Sequence, residues 1–167
     1  MQPAEELRVL IVCLGNICRS PMAEGALNHK LAARGLHRQV VVDSAGTADL
    51  QIGKMPDPRA RSAAGARGYE IGAYRARQVE PVDFDLFDLV LACDHQNLAD
   101  LQAMAPADRH ERIQLLQDYG PGPERDIPDP FEGEMPDFYR ALDLMEPALD
   151  GLVARIANGD LGQRASA

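Results

Sequence analysis

The sequence predicts an α/β fold: a four-stranded parallel sheet with helices on both faces and a phosphate-binding type of loop after the first strand. Three observations predict it. Short apolar or β-branched runs alternate with segments of helical spacing, the pattern of strand–helix–strand units. The strand candidates are continuously apolar where a sheet covered on both faces would need them to be. A chain of 167 residues with 46% apolar composition suits one domain with a sizeable core.

Residues 7–12 (LRVLIV) are the first strand. Residues 21–34 (PMAEGALNHKLAAR) carry apolar positions at helical spacing and stop at Gly35. Residues 40–42 (VVV) read as the second strand. Residues 44–58, rich in Gly, Pro and Asp, read as a long loop. A helix over 59–67, a strand over 87–92 (FDLVLA), a short helix over 95–104 and a strand over 112–116 (RIQLL) follow. Residues 119–136 hold Pro121, Pro123, Pro128, Pro130 and Pro136, which argues against regular structure there. Residues 137–157 form a long final helix that Pro147 is expected to bend. The single domain is thus expected over 1–157, with 158–167 a flexible tail.

Composition narrows the function classes. The net charge of -9 argues against a nucleic-acid binder, which needs a basic face. No apolar run approaches a membrane span, and residues 1–8 lack a basic-then-apolar leader, so no membrane association and a cytoplasmic location are expected. Three cysteines, an odd number, fit free thiols in a reducing compartment better than a disulfide framework. His29, His37, His95 and His110 lack metal-site spacing, so neither metal nor other cofactor is expected. Gly53-Lys54 lacks the Ser/Thr and first Gly of a nucleotide loop.

Ligands on parallel sheets bind at the carboxyl ends of strands. The first strand runs into Cys13-Leu14-Gly15-Asn16-Ile17-Cys18-Arg19-Ser20. A loop between strand and helix can curl so that successive N–H groups point inward and form an anion nest. The helix N-terminus adds positive potential. Arg19 adds a planar fork matching two phosphate oxygens. The same field favours a thiolate on Cys13, so one loop would bind a phosphoryl group and supply the attacking sulfur. Gly15 is expected to turn the backbone with positive φ, and Asn16 to do the same or to tie the loop down by side-chain hydrogen bonds. Ser20-Pro21 reads as a helix opening with a capping hydroxyl, or else the Ser20 hydroxyl donates to the Cys13 thiolate.

The stretch VCLGNICRSPMAEG (residues 12–25) resembles the active-site signature of the low-molecular-weight protein tyrosine phosphatases, of bacterial type. DSAGT (43–47), DPRA (57–60), RARQ (75–78), residues 94–97 and DPF (129–131) match the same family in order and span nearly the whole chain. The resemblance implies a four-stranded parallel sheet and hydrolysis of phosphotyrosine in proteins through a phosphocysteine. It implies Cys13 as nucleophile, Arg19 as phosphate clamp and Asp129 as the general acid that protonates the tyrosyl oxygen. Among 26 acidic residues, Asp129 also stands out between Pro128 and Pro130, with Asp126 the fallback. Asn16 and Ser44 match residues that brace the loop. Cys18 matches a second loop cysteine able to form a reversible disulfide with Cys13, whereas Cys93 reads as core.

Leu50 falls where many members carry an aromatic cleft residue, Phe131 and Glu132 replace a tyrosine pair, and Tyr74 replaces a bracing histidine. A Leu50 wall resembles members paired with bacterial tyrosine autokinases, which makes such a kinase the expected protein partner. A thiol-dependent arsenate reductase on the same fold would need further resolving cysteines, and only Cys93 remains. A non-catalytic phosphotyrosine reader would lack the nucleophile, the arginine or the acid, and all three are present.

Overall fold

The computed structural model describes residues 6–161. Four parallel strands form one sheet in the order β2-β1-β3-β4. The strands are β1 (Leu7–Cys13), β2 (Val40–Gly46), β3 (Leu89–Ala92) and β4 (Ile113–Leu115). Among the described residues five α-helices accompany them: α1 (Arg19–Ala33), α2 (Pro58–Ala66), α3 (Asp83–Leu86), α4 (His95–Met104) and α5 (Met135–Ala157).

Alternation along the strands builds two cores. Leu7, Val9, Ile11 and Cys13 of β1 and Leu89 and Leu91 of β3 face α1, α2 and α5. Leu10 and Val12 of β1, with Val90 and Ala92 of β3, face Phe84 of α3 and Leu101 of α4. The sheet is therefore covered on both faces, which explains why β1 and β3 are apolar at almost every position. Helix α5 supplies the widest apolar stripe, from Phe138 and Leu142 through Met145, Leu149, Leu152 and Ile156. Its first turn is closed by a capping box between Glu134 and Asp137.

Several boundaries differ from the sequence expectation for physical reasons. Strand β2 continues past Val42 to Gly46, because residues 43–46 pair with residues 10–13 of β1 although Asp43 and Ser44 are polar. Helix α5 begins at Met135, with Pro136 in the first turn, where a proline lacks no needed donor. Strand β3 starts at Leu89 rather than 87, and α3 is a single turn too short to leave a periodic signal. Two 3₁₀ turns, Ala107–Arg112 and Leu116–Tyr119, flank β4. Pro147 lies inside α5. Helix α5 ends with Asn158 as its C-cap, and Leu161 packs against the core. Of the expected tail, residues 162–167 lie outside the described residues, as do residues 1–5 of the N-terminal segment.

Strand order reverses at β1, since β2 lies on one side of it and β3 on the other. The loop after β1 therefore sits at the switch point, where parallel sheets open a crevice.

Candidate active site

Residues 13–19 link the end of β1 to the start of α1. The carbonyls of Cys13, Leu14 and Ile17 accept hydrogen bonds from the N–H groups of Thr47, Ala48 and Asp57, at 2.9, 3.0 and 2.8 Å. With these carbonyls taken by neighbouring segments, the loop can turn its amides the other way. The Asn16 N–H donates to Cys13 Sγ at 3.3 Å. The left-handed residue of the loop is Asn16, at φ 57°, and not Gly15. Gly15 instead leaves room for Gln51, whose Cγ would lie 3.3 Å from an added Cβ.

Polar side chains fix the sulfur. Ser20 Oγ lies 3.0 Å from Cys13 Sγ. The Asn16 amide nitrogen donates to Ser20 Oγ at 2.8 Å and to Ser44 Oγ at 3.0 Å, while its oxygen accepts from the Arg77 N–H at 3.0 Å. That last contact fixes which end of the amide is the donor. Because Asn16 supplies protons to both hydroxyl oxygens, the Ser20 proton is left for the sulfur or for the more distant Ala45 carbonyl, 3.5 Å away. Ser44 in turn donates to Glu24 Oε1 at 2.6 Å. Burial pushes the Glu24 carboxyl up to about 7, against the lowering influence of that hydrogen bond. The expected Ser20 helix cap is not formed: α1 begins at Arg19 and its N-cap, Cys18, makes no side-chain capping bond.

Arg19 is 2% exposed and held rigidly. Its Nη1 donates to Asp94 Oδ2 at 2.6 Å and to the Ile127 carbonyl at 2.8 Å. Its Nη2 lies 3.7 Å from Asp129 Oδ2. Its buried Nε has no hydrogen-bond partner among the described residues. Burial opposes the Arg19 charge, but the surrounding cysteine sulfurs and Asp94 outweigh it and hold the pKa above its ordinary value. Asp129 accepts the Phe131 N–H at 3.1 Å and is 39% exposed.

Cys13, Leu14, Gly15, Ile17, Cys18, Arg19, Asp129, Leu50 and Phe131 line one open cleft of about 530 Å3, together with Ala48 and Gln51. The cleft thus gathers the sequence-predicted nucleophile, clamp, acid and both wall residues. Asn16, Ser20 and Ser44 stand behind it as its braces. The fallback acid, Asp126, is turned to His95, whose backbone N–H and ring Nδ1 lie 2.8 and 2.7 Å from Asp126 Oδ1. Tyr74 meets Asn28, whose amide donates to its hydroxyl at 3.3 Å. Burial pushes the Cys18 and Cys93 thiols up, and all three cysteines are free. Among the described residues, no group of three or more His, Cys, Asp or Glu could hold a metal ion. Among the same described residues, no helix is long and apolar enough to cross a membrane.

Asp94, Glu24 and the Asp57–Arg59 pair lie in the stretches that match the family, but no individual role was legible in the sequence for any of them. Asp94 had a signal: it follows the carboxyl end of β3, where the parallel-sheet rule looks for ligands.

A family model described as "Low molecular weight phosphotyrosine protein phosphatase" matches residues 8–160. The chain belongs to this family. A low molecular weight protein-tyrosine-phosphatase of Streptomyces coelicolor is 39% identical over 153 residues, which is 89% of this chain and 93% of the relative. The crystal structure of a protein tyrosine phosphatase from Entamoeba histolytica with Hepes in the active site superposes at a TM-score of 0.90. It is 32% identical and covers 93% of this chain and 100% of its own. The crystal structure of YfkJ from Bacillus subtilis superposes at 0.89, is 33% identical, and covers 95% and 99%. For this low molecular weight phosphatase the expected architecture holds: a four-stranded parallel sheet with the signature loop directly after its first strand.

Proposed function

We propose that this chain is a protein-tyrosine-phosphatase that works through a phosphocysteine, with Cys13 as nucleophile, Arg19 as clamp and Asp129 as acid. One observation carries the reading: Cys13, the Arg19 guanidinium and the Asp129 carboxyl share one cleft at the head of a helix. The phosphate seats with its oxygens on the loop amides and on Arg19, whose buried Nε is left over for such an acceptor. Cys13 Sγ attacks phosphorus while the P–O bond to the tyrosyl oxygen breaks, and Asp129 delivers a proton to that oxygen. The transition state is loose, so fixed amides and Arg19 stabilise charge that builds on the equatorial oxygens. In the second step Asp129 takes a proton from a water that attacks the phosphocysteine. The S–P bond breaks, phosphate leaves, and the Ser20 hydroxyl stabilises the departing thiolate.

Leu50 and Phe131 are 77% and 44% exposed at the mouth, where the phenyl ring of a phosphotyrosine would pass. The substrate is a phosphotyrosine-containing protein, and the Leu50 wall favours a tyrosine autokinase as that protein. The enzyme would act in the cytoplasm, where its three free thiols remain reduced. There Cys18 would close a disulfide onto a Cys13 sulfenic acid formed by peroxide, releasing water and sparing the nucleophile.

The deciding experiment is acid quenching during turnover of p-nitrophenyl phosphate, followed by peptide mapping. Phosphate on Cys13 is expected, and neither phosphate nor turnover is expected in Cys13→Ser. Turnover by Cys13→Ser at a near-native rate would end the proposal. For the partner, a phosphorylated autokinase tail should turn over faster than an unrelated phosphopeptide, and equal rates would remove that assignment.

A further inference from the structure

The loop that carries Asp129 is tied to the phosphate loop by a two-residue strut at the head of α2. The Asp57 N–H donates to the Ile17 carbonyl at 2.8 Å, which joins the strut to the phosphate loop. The Asp57 carboxylate caps α2 by accepting the Arg59 N–H at 2.8 Å. It also grips the Arg59 guanidinium side-on, with Nε to Oδ1 at 3.0 Å and Nη2 to Oδ2 at 2.9 Å. The far edge of the same guanidinium reaches across to the acid loop. Nη1 donates to the Gly133 carbonyl at 2.8 Å and Nη2 to the Phe131 carbonyl at 2.8 Å. The Phe138 ring of α5 lies beneath it, 4.6 Å from the ring centroid to the guanidinium carbon.

Phe131 is the point where this strut meets the chemistry. Its carbonyl is held by Arg59, and its N–H donates to Asp129 Oδ1 at 3.1 Å. At the other end of the loop, the Ile127 N–H donates to the Cys93 carbonyl and the Ile127 carbonyl accepts from Arg19. Asp129 therefore hangs between an anchor at Ile127 and an anchor at Arg59. We propose that Arg59 is a positioning residue that fixes the height of the Asp129 carboxyl over the phosphate cup. This rests on the reading of Asp129 as the general acid.

A planar fork is needed for the task. Arg59 serves the Asp57 carboxylate on one edge and two carbonyls on the other, which the single ammonium of a lysine cannot do. Loss of the strut leaves the nucleophile, Arg19 and the loop amides in place, so phosphate binding should survive. Proton delivery should suffer, and the loss should grow as the leaving group becomes more basic.

The test is a series of aryl phosphates, from 2,4-dinitrophenyl phosphate to phenyl phosphate, measured on Arg59→Gln, Arg59→Lys and Asp129→Asn. The quantity read is kcat/KM, which reports the first step alone. Competitive inhibition by inorganic phosphate is measured alongside. For Arg59→Gln, kcat/KM on phenyl phosphate should fall roughly tenfold or more, the scale of a catalytic group misplaced by a fraction of an ångström. The dinitrophenyl ester should be nearly unaffected and phosphate inhibition unchanged, with Arg59→Lys rescuing only part of the loss. A leaving-group slope identical to wild type in the Arg59 variants overturns the proposal. So does a uniform loss accompanied by weakened phosphate inhibition, which would mark a merely structural residue. Asp129→Asn separates the two claims. If it steepens the slope and Arg59→Gln does not, only the positioning role falls. If Asp129→Asn leaves the slope unchanged, the acid assignment falls and the positioning role with it.

Discussion

The Ser20 hydroxyl sits 3.0 Å from the Cys13 sulfur and receives its own hydrogen bond from the Asn16 amide. Its proton has two acceptors, the sulfur and the Ala45 carbonyl at 3.5 Å, and the closer sulfur gains it most when the thiolate must leave phosphorus. Ser20→Ala is expected to slow hydrolysis of the phosphocysteine more than its formation. Removing one hydrogen bond to a charged group should lower kcat by about tenfold to a hundredfold. Rapid-quench kinetics should show a larger burst of p-nitrophenol followed by a slower steady state. A loss confined to the burst phase would place Ser20 in the first step instead.

Asp94 uses its two oxygens for two tasks. Oδ1 accepts the Asn97 N–H at 2.7 Å and caps α4, and Oδ2 holds Arg19 Nη1 at 2.6 Å. Asp94→Ala should therefore lower stability by about 1 kcal/mol through the lost cap. It should also lower kcat by roughly a hundredfold through a loosened Arg19. Asp94→Ser separates the effects, since a serine can cap the helix but cannot reach and charge-pair with Arg19. Denaturant unfolding should recover in Asp94→Ser while kcat does not; recovery of both would reduce Asp94 to a helix cap.

Most of this architecture was legible because burial on both sheet faces writes itself into composition. Residues 7–12 and 87–92 are apolar at nearly every position, and β1 and β3 form the middle of the sheet. The cleft was legible where chemistry is local: Cys13, Arg19 and Ser20 fall within eight residues. It was not legible where partners are distant. Arg59 acts on the carbonyls of Phe131 and Gly133, which no side-chain pattern encodes. Asp43 and Ser44 broke the apolar run of β2 because they serve the loop rather than the core: Asp43 pairs with Arg77, and Ser44 bridges Asn16 and Glu24. Of Gly15 and Asn16, both offered for the left-handed turn, Asn16 takes it and also ties the loop down with its amide, two roles that the sequence left as alternatives.

Gly46 ends β2 directly opposite Cys13. A Cβ there would lie 2.6 Å from the Leu14 carbonyl oxygen and 3.1 Å from the Asn16 nitrogen, both backbone atoms that cannot swing aside. Its requirement is space and not a positive φ. Gly46→Ala should push the phosphate loop off its amide geometry and lower kcat/KM by about a hundredfold. Inhibition by inorganic phosphate should weaken in parallel, because the amides that hold phosphate are the ones displaced. Full activity in Gly46→Ala would show that the loop tolerates a shift the hydrogen-bond pattern does not allow.

Glu24 should make the fold sensitive to pH in the neutral range. Its carboxyl is 7% exposed and lies near Asp43, and burial outweighs the Ser44 hydrogen bond and Arg77, which favour its charge. Tyr74, whose own pKa burial raises, offers it no positive charge. The folded pKa is raised from 4.5 to about 7, so the folded state binds the proton more tightly than the unfolded chain. The neutral carboxyl is compatible with burial at low pH, and this contribution is lost as pH climbs from about 4.5 through 7. At about 1.4 kcal/mol per pH unit, full ionisation costs the fold about 3 kcal/mol. Glu24→Gln keeps an acceptor for the Ser44 hydroxyl and removes the titration. Urea unfolding at intervals from pH 5 to pH 8 should show the wild type losing stability across that span relative to Glu24→Gln. Parallel stability curves for the two proteins would mean that Glu24 ionises as freely in the fold as in the unfolded chain.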